Sequence, residues 1–267
     1  MVIAGSLALP FAAVILLWFV STGLVAMMNH RLRATMPRAL IIACVCAFAG
    51  LGLVIASAHS TAIWASYLSF LGGLLIWSWH EIAFLTGAVA GTHSEPCPDG
   101  ARGWQRFSQA TLALIHHEVA LAMTAGLMLS LAAATANPTG AYAFTLLFVF
   151  RLSSKLNIYW GVPNLSDELL PRHLDYLKSY FGPRRLLPML PLSILAMLGL
   201  AAWLAWTAIA TSDPGTAVRS ALLCCLSLLA ALEHLFLAMP FRDSALWAWA
   251  LERRTAHKKT TIEEGKA

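Results

Sequence analysis

Apolar runs long enough to cross a bilayer dominate this chain and leave few folds open to it. They fall at about 6–27, 39–58, 62–89, 109–135, 140–160, 187–210 and 216–239. A hydrocarbon core about 30 Å thick takes roughly 20 helical residues. Inside it every backbone polar group needs an internal partner, which a helix supplies. The chain therefore reads as all-α, a polytopic membrane helix bundle of about seven transmembrane helices. A composition of 59% hydrophobic and 12% charged residues agrees, and excludes an ordinary soluble domain. The 140–160 run differs from the others, because Arg151 and Lys155 interrupt it.

Lys and Arg lie in alternate connections. Arg31, Arg33 and Arg38 fill the first, Arg102 and Arg106 the third, and Arg172, Lys178, Arg184 and Arg185 the fifth. Arg242, Arg253, Arg254, Lys258 and Lys259 lie in the tail. The connections around His59, Asn137–Gly140 and Ser212–Gly215 are short and carry neither, and only Arg219 sits near that side. The positive-inside rule then places the N-terminus on the outer, periplasmic side and the C-terminus in the cytoplasm of a multi-pass membrane protein. The net charge of +5 follows from this topology. It implies contact with the lipid bilayer and its anionic headgroups, and no nucleic acid partner. The first apolar run is too long, and lacks the basic leading region, for a cleavable signal peptide.

Residues 1–240 form the transmembrane domain, with cytoplasmic loops at about 91–108 and 161–186, and 241–267 form a cytoplasmic tail. Pro96-Cys97-Pro98-Asp99-Gly100 is a turn sequence. In the second loop Ser166 is a candidate N-cap. Leu169, Leu170, His173, Leu174, Leu177 and Phe181 then recur at helical spacing up to Gly182-Pro183. That pattern predicts an amphipathic helix on the inner membrane face. Trp247 and Trp249 open the tail as interfacial anchors. Cys44, Cys46, Cys224 and Cys225 fall in apolar runs and read as small buried hydrophobes. His93 and Cys97 have a spacing a metal could use, but two ligands are weak evidence against a plain loop.

Against this background the ionisable residues inside the runs stand out. His80-Glu81, His117-Glu118 (after His116) and Glu233-His234 each fall near one end of a predicted helix. At 1.5 Å per residue all lie roughly 27–28 Å from the periplasmic side, at one level. Charged groups in hydrocarbon are costly and usually mark a functional site. Arg151 and Lys155, four residues apart on one helical face, are natural partners for the carboxylates. Three readings stay open. Glu81, His116, His117, Glu118, Glu233 and His234 are candidate ligands of a metal (iron, manganese or zinc), as in carboxylate-bridged di-iron bundles. The adjacent pairing departs from the usual Glu-x-x-His, because neighbouring helical residues point about 100° apart. Alternatively His80, His117 or His234 is the axial ligand of a tetrapyrrole pigment with the carboxylates near its polar edge, and Arg151 or Lys155 binds an anionic group of the cofactor or substrate. The third reading is an interhelical polar network that fixes packing. No phosphate-binding glycine loop, Gly-x-Ser-x-Gly elbow or His-Glu-x-x-His pair occurs.

One stretch carries a resemblance. Arg151-Leu-Ser-Ser-Lys155-Leu-Asn157, Gly161-Val-Pro-Asn164 and the run from Glu168 through His173 to Phe181 resemble the photosynthetic complex assembly protein 2 family of purple and related phototrophic bacteria. Trp79-His80-Glu81, His117-Glu118 and the pattern of apolar runs are similar to it as well. The resemblance implies a protein encoded beside the gene for the reaction-centre H subunit. It implies a role in assembling the reaction-centre and light-harvesting complex, or in bacteriochlorophyll supply, with those subunits and pigment as partners. It carries over no catalytic residues. The alternative is a membrane metalloenzyme acting on a tetrapyrrole, quinone or isoprenoid. A transporter with a buried proton-relay carboxylate is a weaker third reading.

Overall fold

The computed structural model describes residues 2–29, 32–165 and 170–239. The tail with Trp247 and Trp249, together with Ser166, Glu168 and Leu169, lies outside the described residues. Those described are helical or irregular, with no strand among them. Helices run over Val2–Asn29 (α1), Leu32–Ser57 (α2), Ile63–Leu85 (α3), Gly103–Leu112 (α4), Ile115–Ala132 (α5), Thr139–Trp160 (α6), Met189–Ala210 (α7) and Pro214–Ala238 (α8). All but α4 and α6 are long and apolar enough to cross a membrane, six candidate spans among the described residues. The protein is a multi-pass membrane protein. α6 has 22 residues and is unbroken. Arg151 and Lys155 lower its hydropathy without interrupting its backbone, since long basic side chains are good helix formers.

The predicted run 109–135 is not one helix. α4 ends at Leu112, and α5 begins at Ile115. The loop before α4 causes the break. Thr92 N–H donates to Leu112 O at 2.9 Å, and His117 N–H donates to Ala90 O at 3.0 Å. Gly91 lies between these contacts, where a Cβ would come 2.2 Å from Leu112 O. The loop thus supplies the partners that a continuous helix would have supplied itself.

α3 packs against α2, α5, α6 and α8, while α1 and α7 pack on α8. Glycines allow the closest approaches. A Cβ on Gly73 would lie 2.6 Å from Gly140 O of α6, and one on Gly50 2.6 Å from Gly72 O. At the end of the bundle that lacks Lys and Arg in its connections, Asn137 Nδ2 donates to Ser57 O (3.1 Å) and Ala65 O (2.9 Å). α8 is the most enclosed helix, with Leu222, Cys224 and Cys225 buried; Cys44 and Cys46 are only partly buried.

A cap covers the opposite, basic end. It consists of the loop after α3, α4 and a 3₁₀ helix, Arg172–Tyr180. The amphipathic helix expected here is therefore wound more tightly. At three residues per turn Leu174, Leu177 and Tyr180 share one face. They are buried against Phe84 and Ala113, and His173 is exposed. The apolar stripe packs on the protein, not on a membrane surface.

Candidate functional site

α3, α5 and α6 bring four charged side chains together just above the cap. Glu81 lies in the last stretch of α3, and Glu118 in the first turn of α5, where a carboxylate also favours the helix dipole. Arg151 and Lys155 share one face of α6. Arg151 Nη2 donates to Glu81 Oε2 at 3.4 Å, and Lys155 Nζ donates to Glu118 Oε1 at 2.5 Å. The second oxygen of each carboxylate, Glu81 Oε1 and Glu118 Oε2, is buried without a hydrogen-bond partner. The Arg151 side chain is 44% exposed, against 15% for Glu81. The Arg151 pair therefore opens to the surface of the bundle, and the Lys155 pair does not.

His117 completes this group. It is 1% exposed, and neither ring nitrogen has a hydrogen-bond partner. Its ring lies 4.7 Å from that of Phe84, and Lys155 Nζ stands 5.4 Å from the Phe84 centroid. Glu81, Lys155 and Arg151 are all within electrostatic reach of it. Phe84 also belongs to the core of the cap. One ring thus separates the polar layer from the basic end. His80 packs edge-on between Trp79 (4.9 Å) and Phe144 (5.6 Å). His116 is exposed and stays outside the cluster.

The pair on α8 diverges, as the 100° turn between neighbours requires. Glu233 is exposed and accepts from Trp18 Nε1 of α1 at 2.7 Å. It remains within electrostatic reach of Arg151. His234 is buried and faces the other side of α6. Its Nδ1 lies 2.9 Å from Ala230 O, and its Nε2 lies 3.1 Å from Ser153 Oγ. A carbonyl can only accept, so Nδ1 carries a proton and donates to Ala230 O. Asn157, one turn on, donates to Ser153 O (2.9 Å) and Ser193 Oγ of α7 (3.0 Å). α6 thus has two polar faces, Arg151/Lys155 and Ser153/Asn157. Trp18, Phe84, Ser153 and Ser193 join these groups only in the folded chain. The i, i+4 spacing of Ser153 and Asn157 in an apolar helix was the one signal that pointed to any of them.

Among the described residues no three His, Cys, Asp or Glu side chains form a group that could hold a metal ion. Each carboxylate on α3 and α5 already has one oxygen on a basic side chain. His234 has both ring nitrogens engaged, whereas His117 is enclosed with both of its nitrogens unpartnered. His93 lies 3.3 Å from Thr92 Oγ1, and the Cys97 N–H donates to Ser179 Oγ.

Comparison with known proteins adds a relationship. A family model described as "Protein of unknown function (DUF3623)" matches residues 4–258. A Rhodobacter capsulatus protein, described as an uncharacterized 30.4 kDa protein in the puhA 5' region, is 32% identical over 242 residues. That alignment covers 89% of this chain and 88% of the relative. No solved structure matches the chain.

Proposed function

Because the chain belongs to the DUF3623 family, and its Rhodobacter relative is placed in the puhA 5' region, we propose that it assists assembly of the photosynthetic reaction-centre and light-harvesting complex, or supply of bacteriochlorophyll to it. The setting is the inner membrane, with the basic end and the cap in the cytoplasm. The sequence resemblance puts such chains beside the gene for the reaction-centre H subunit, and the relative's location fits that expectation. The observation that carries a non-catalytic reading is the pairing of Glu81 with Arg151 and Glu118 with Lys155. Those ion pairs hold three helices in register and leave the carboxylates partly satisfied by the protein itself. Candidate partners are reaction-centre or light-harvesting subunits and pigment.

A deletion strain tests this. It is expected to make normal pigment while losing assembled complexes, and the tagged protein should retain a complex subunit or pigment in stoichiometric amount. A strain that accumulates a pigment, quinone or isoprenoid precursor would refute it.

One observation favours a second reading, a metal-dependent enzyme. Glu81 Oε1, Glu118 Oε2 and both His117 nitrogens are buried and unpartnered. Buried polar atoms of this kind call for an explanation. Elemental analysis of the purified protein separates the readings. One or two equivalents of iron, manganese or zinc, lost in Glu81→Ala and Glu118→Ala variants that still fold, would support the enzyme.

A further inference from the structure

At the basic end of α6 four aromatic rings form a ladder that the polar layer does not use. Trp104 and Phe107 of α4 lie 5.4 Å apart, Phe107 and Tyr159 5.7 Å, and Tyr159 and Trp160 5.5 Å. Arg106 holds the ladder from one side. Its guanidinium sits 4.4 Å over the Tyr159 ring, and it donates to Tyr180 O at 2.7 Å. The two ends stay open, with Trp104 77% and Trp160 50% exposed.

Each open indole has arginine beside it. Arg102 is the N-cap residue of α4, close to Trp104, and is exposed. Near Trp160, Gly182 N–H donates to Ile158 O at 2.9 Å, and Pro183 packs directly on Gly161. Arg184 and Arg185 follow Pro183 directly in the chain and are exposed. No acidic residue occurs in 101–107 or 182–186. The ladder is level with the last turn of α6, where a helix of this length leaves hydrocarbon for headgroups.

Indoles prefer that level, with an apolar body in the bilayer boundary and an N–H towards water. Guanidinium pairs with phosphate through two parallel hydrogen bonds. We infer that the ladder, with Arg102, Arg184 and Arg185, is a binding site for anionic phospholipid, which ties the cap to the bilayer. The indoles lie among the upper acyl chains, and the guanidiniums engage the headgroup phosphate. The site is independent of what the protein assembles.

The test is lipid retention by the full-length protein, reconstituted in mixed phosphatidylglycerol and phosphatidylcholine and read by native mass spectrometry. Phosphatidylglycerol is expected to be held preferentially. The preference should weaken with salt. It should fall roughly fivefold for each arginine removed in Arg184→Gln/Arg185→Gln, and by less in Arg184→Lys/Arg185→Lys, which keeps the charge but not the paired hydrogen bonds. Trp104→Gln should reduce retention of both lipids, and millimolar inorganic phosphate should compete with neither. Equal retention of the two lipids by the native protein, or a preference indifferent to salt, would overturn the proposal. So would binding of a tetrapyrrole or a protein subunit that displaces no lipid and is lost in Trp104→Gln. If the glutamine variant does not fold, the salt titration of the native protein and the lysine variant decide.

Discussion

Lys155 of α6 and Glu118 of α5 meet in an ion pair whose side chains are only 18% and 19% exposed. The pair joins the first turn of one helix to the last turns of another. It stands directly behind Phe84, the ring that closes the cap over the layer. A buried pair adds little net stability over an apolar one, but losing one partner leaves an uncompensated charge.

Lys155→Met should therefore destabilise the protein by about 3–5 kcal/mol. Adding Glu118→Gln should recover much of that loss. Unfolding titrations in mixed micelles of the two single variants and the double would give the coupling. Additive effects would show that the two side chains do not depend on each other.

Arg151→Gln should cost less than Lys155→Met. The Arg151–Glu81 contact is longer, at 3.4 Å, and its guanidinium is 44% exposed. Glu81 also keeps Lys155 within electrostatic reach when Arg151 is gone. The same titrations rank the two, and the reverse order would contradict the geometry.

The glycines give a contrast that sequence spacing cannot. A Cβ at Gly50 would meet Gly72 O at 2.6 Å, whereas one at Gly52 would meet nothing within 4 Å. Gly50→Ala should force α2 and α3 apart at a cost of about 1–3 kcal/mol. Gly52→Ala should be neutral or slightly stabilising, since alanine is the better helix former. Thermal midpoints in one detergent check both.

Asp213 supplies a pH dependence outside the spans. Its carboxylate caps α8 by accepting from Thr216 N–H at 2.8 Å. Hydrogen bonds from Thr216, with Arg219 nearby, hold its pKa below the usual carboxylate value. The unfolded chain then binds the proton more readily. The stabilisation is complete above the unfolded value of about 3.9 and is lost as pH falls through the lower folded value. Asp213→Ala should cost about 1 kcal/mol at neutral pH, and Asp213→Asn should cap nearly as well without the acid-dependent part. Midpoints of native protein and Asp213→Asn that fall in parallel from pH 5 to 3 would rule this out.

Periodicity, length and charge placement in the chain alone were enough for an all-helical membrane bundle, for the alternation of basic and neutral connections and for Arg151 and Lys155 as partners of carboxylates such as Glu81 and Glu118. Those quantities depend on local helical geometry, 1.5 Å per residue and 3.6 residues per turn, so they survive without knowledge of neighbours. Tertiary structure decided the rest. It broke the 109–135 run, because the loop around Gly91 takes hydrogen bonds that a helix would otherwise make. It wound the 172–180 segment as a 3₁₀ helix, which brings Leu174, Leu177 and Tyr180 into line on one buried face. It also separated Glu233 and His234 from the other pairs and sent them to Trp18 and Ser153. A sequence shows which residues share a depth. Which of them share a neighbour depends on helix rotation and on glycine contacts such as Gly73 with Gly140, and only the packed bundle settles those.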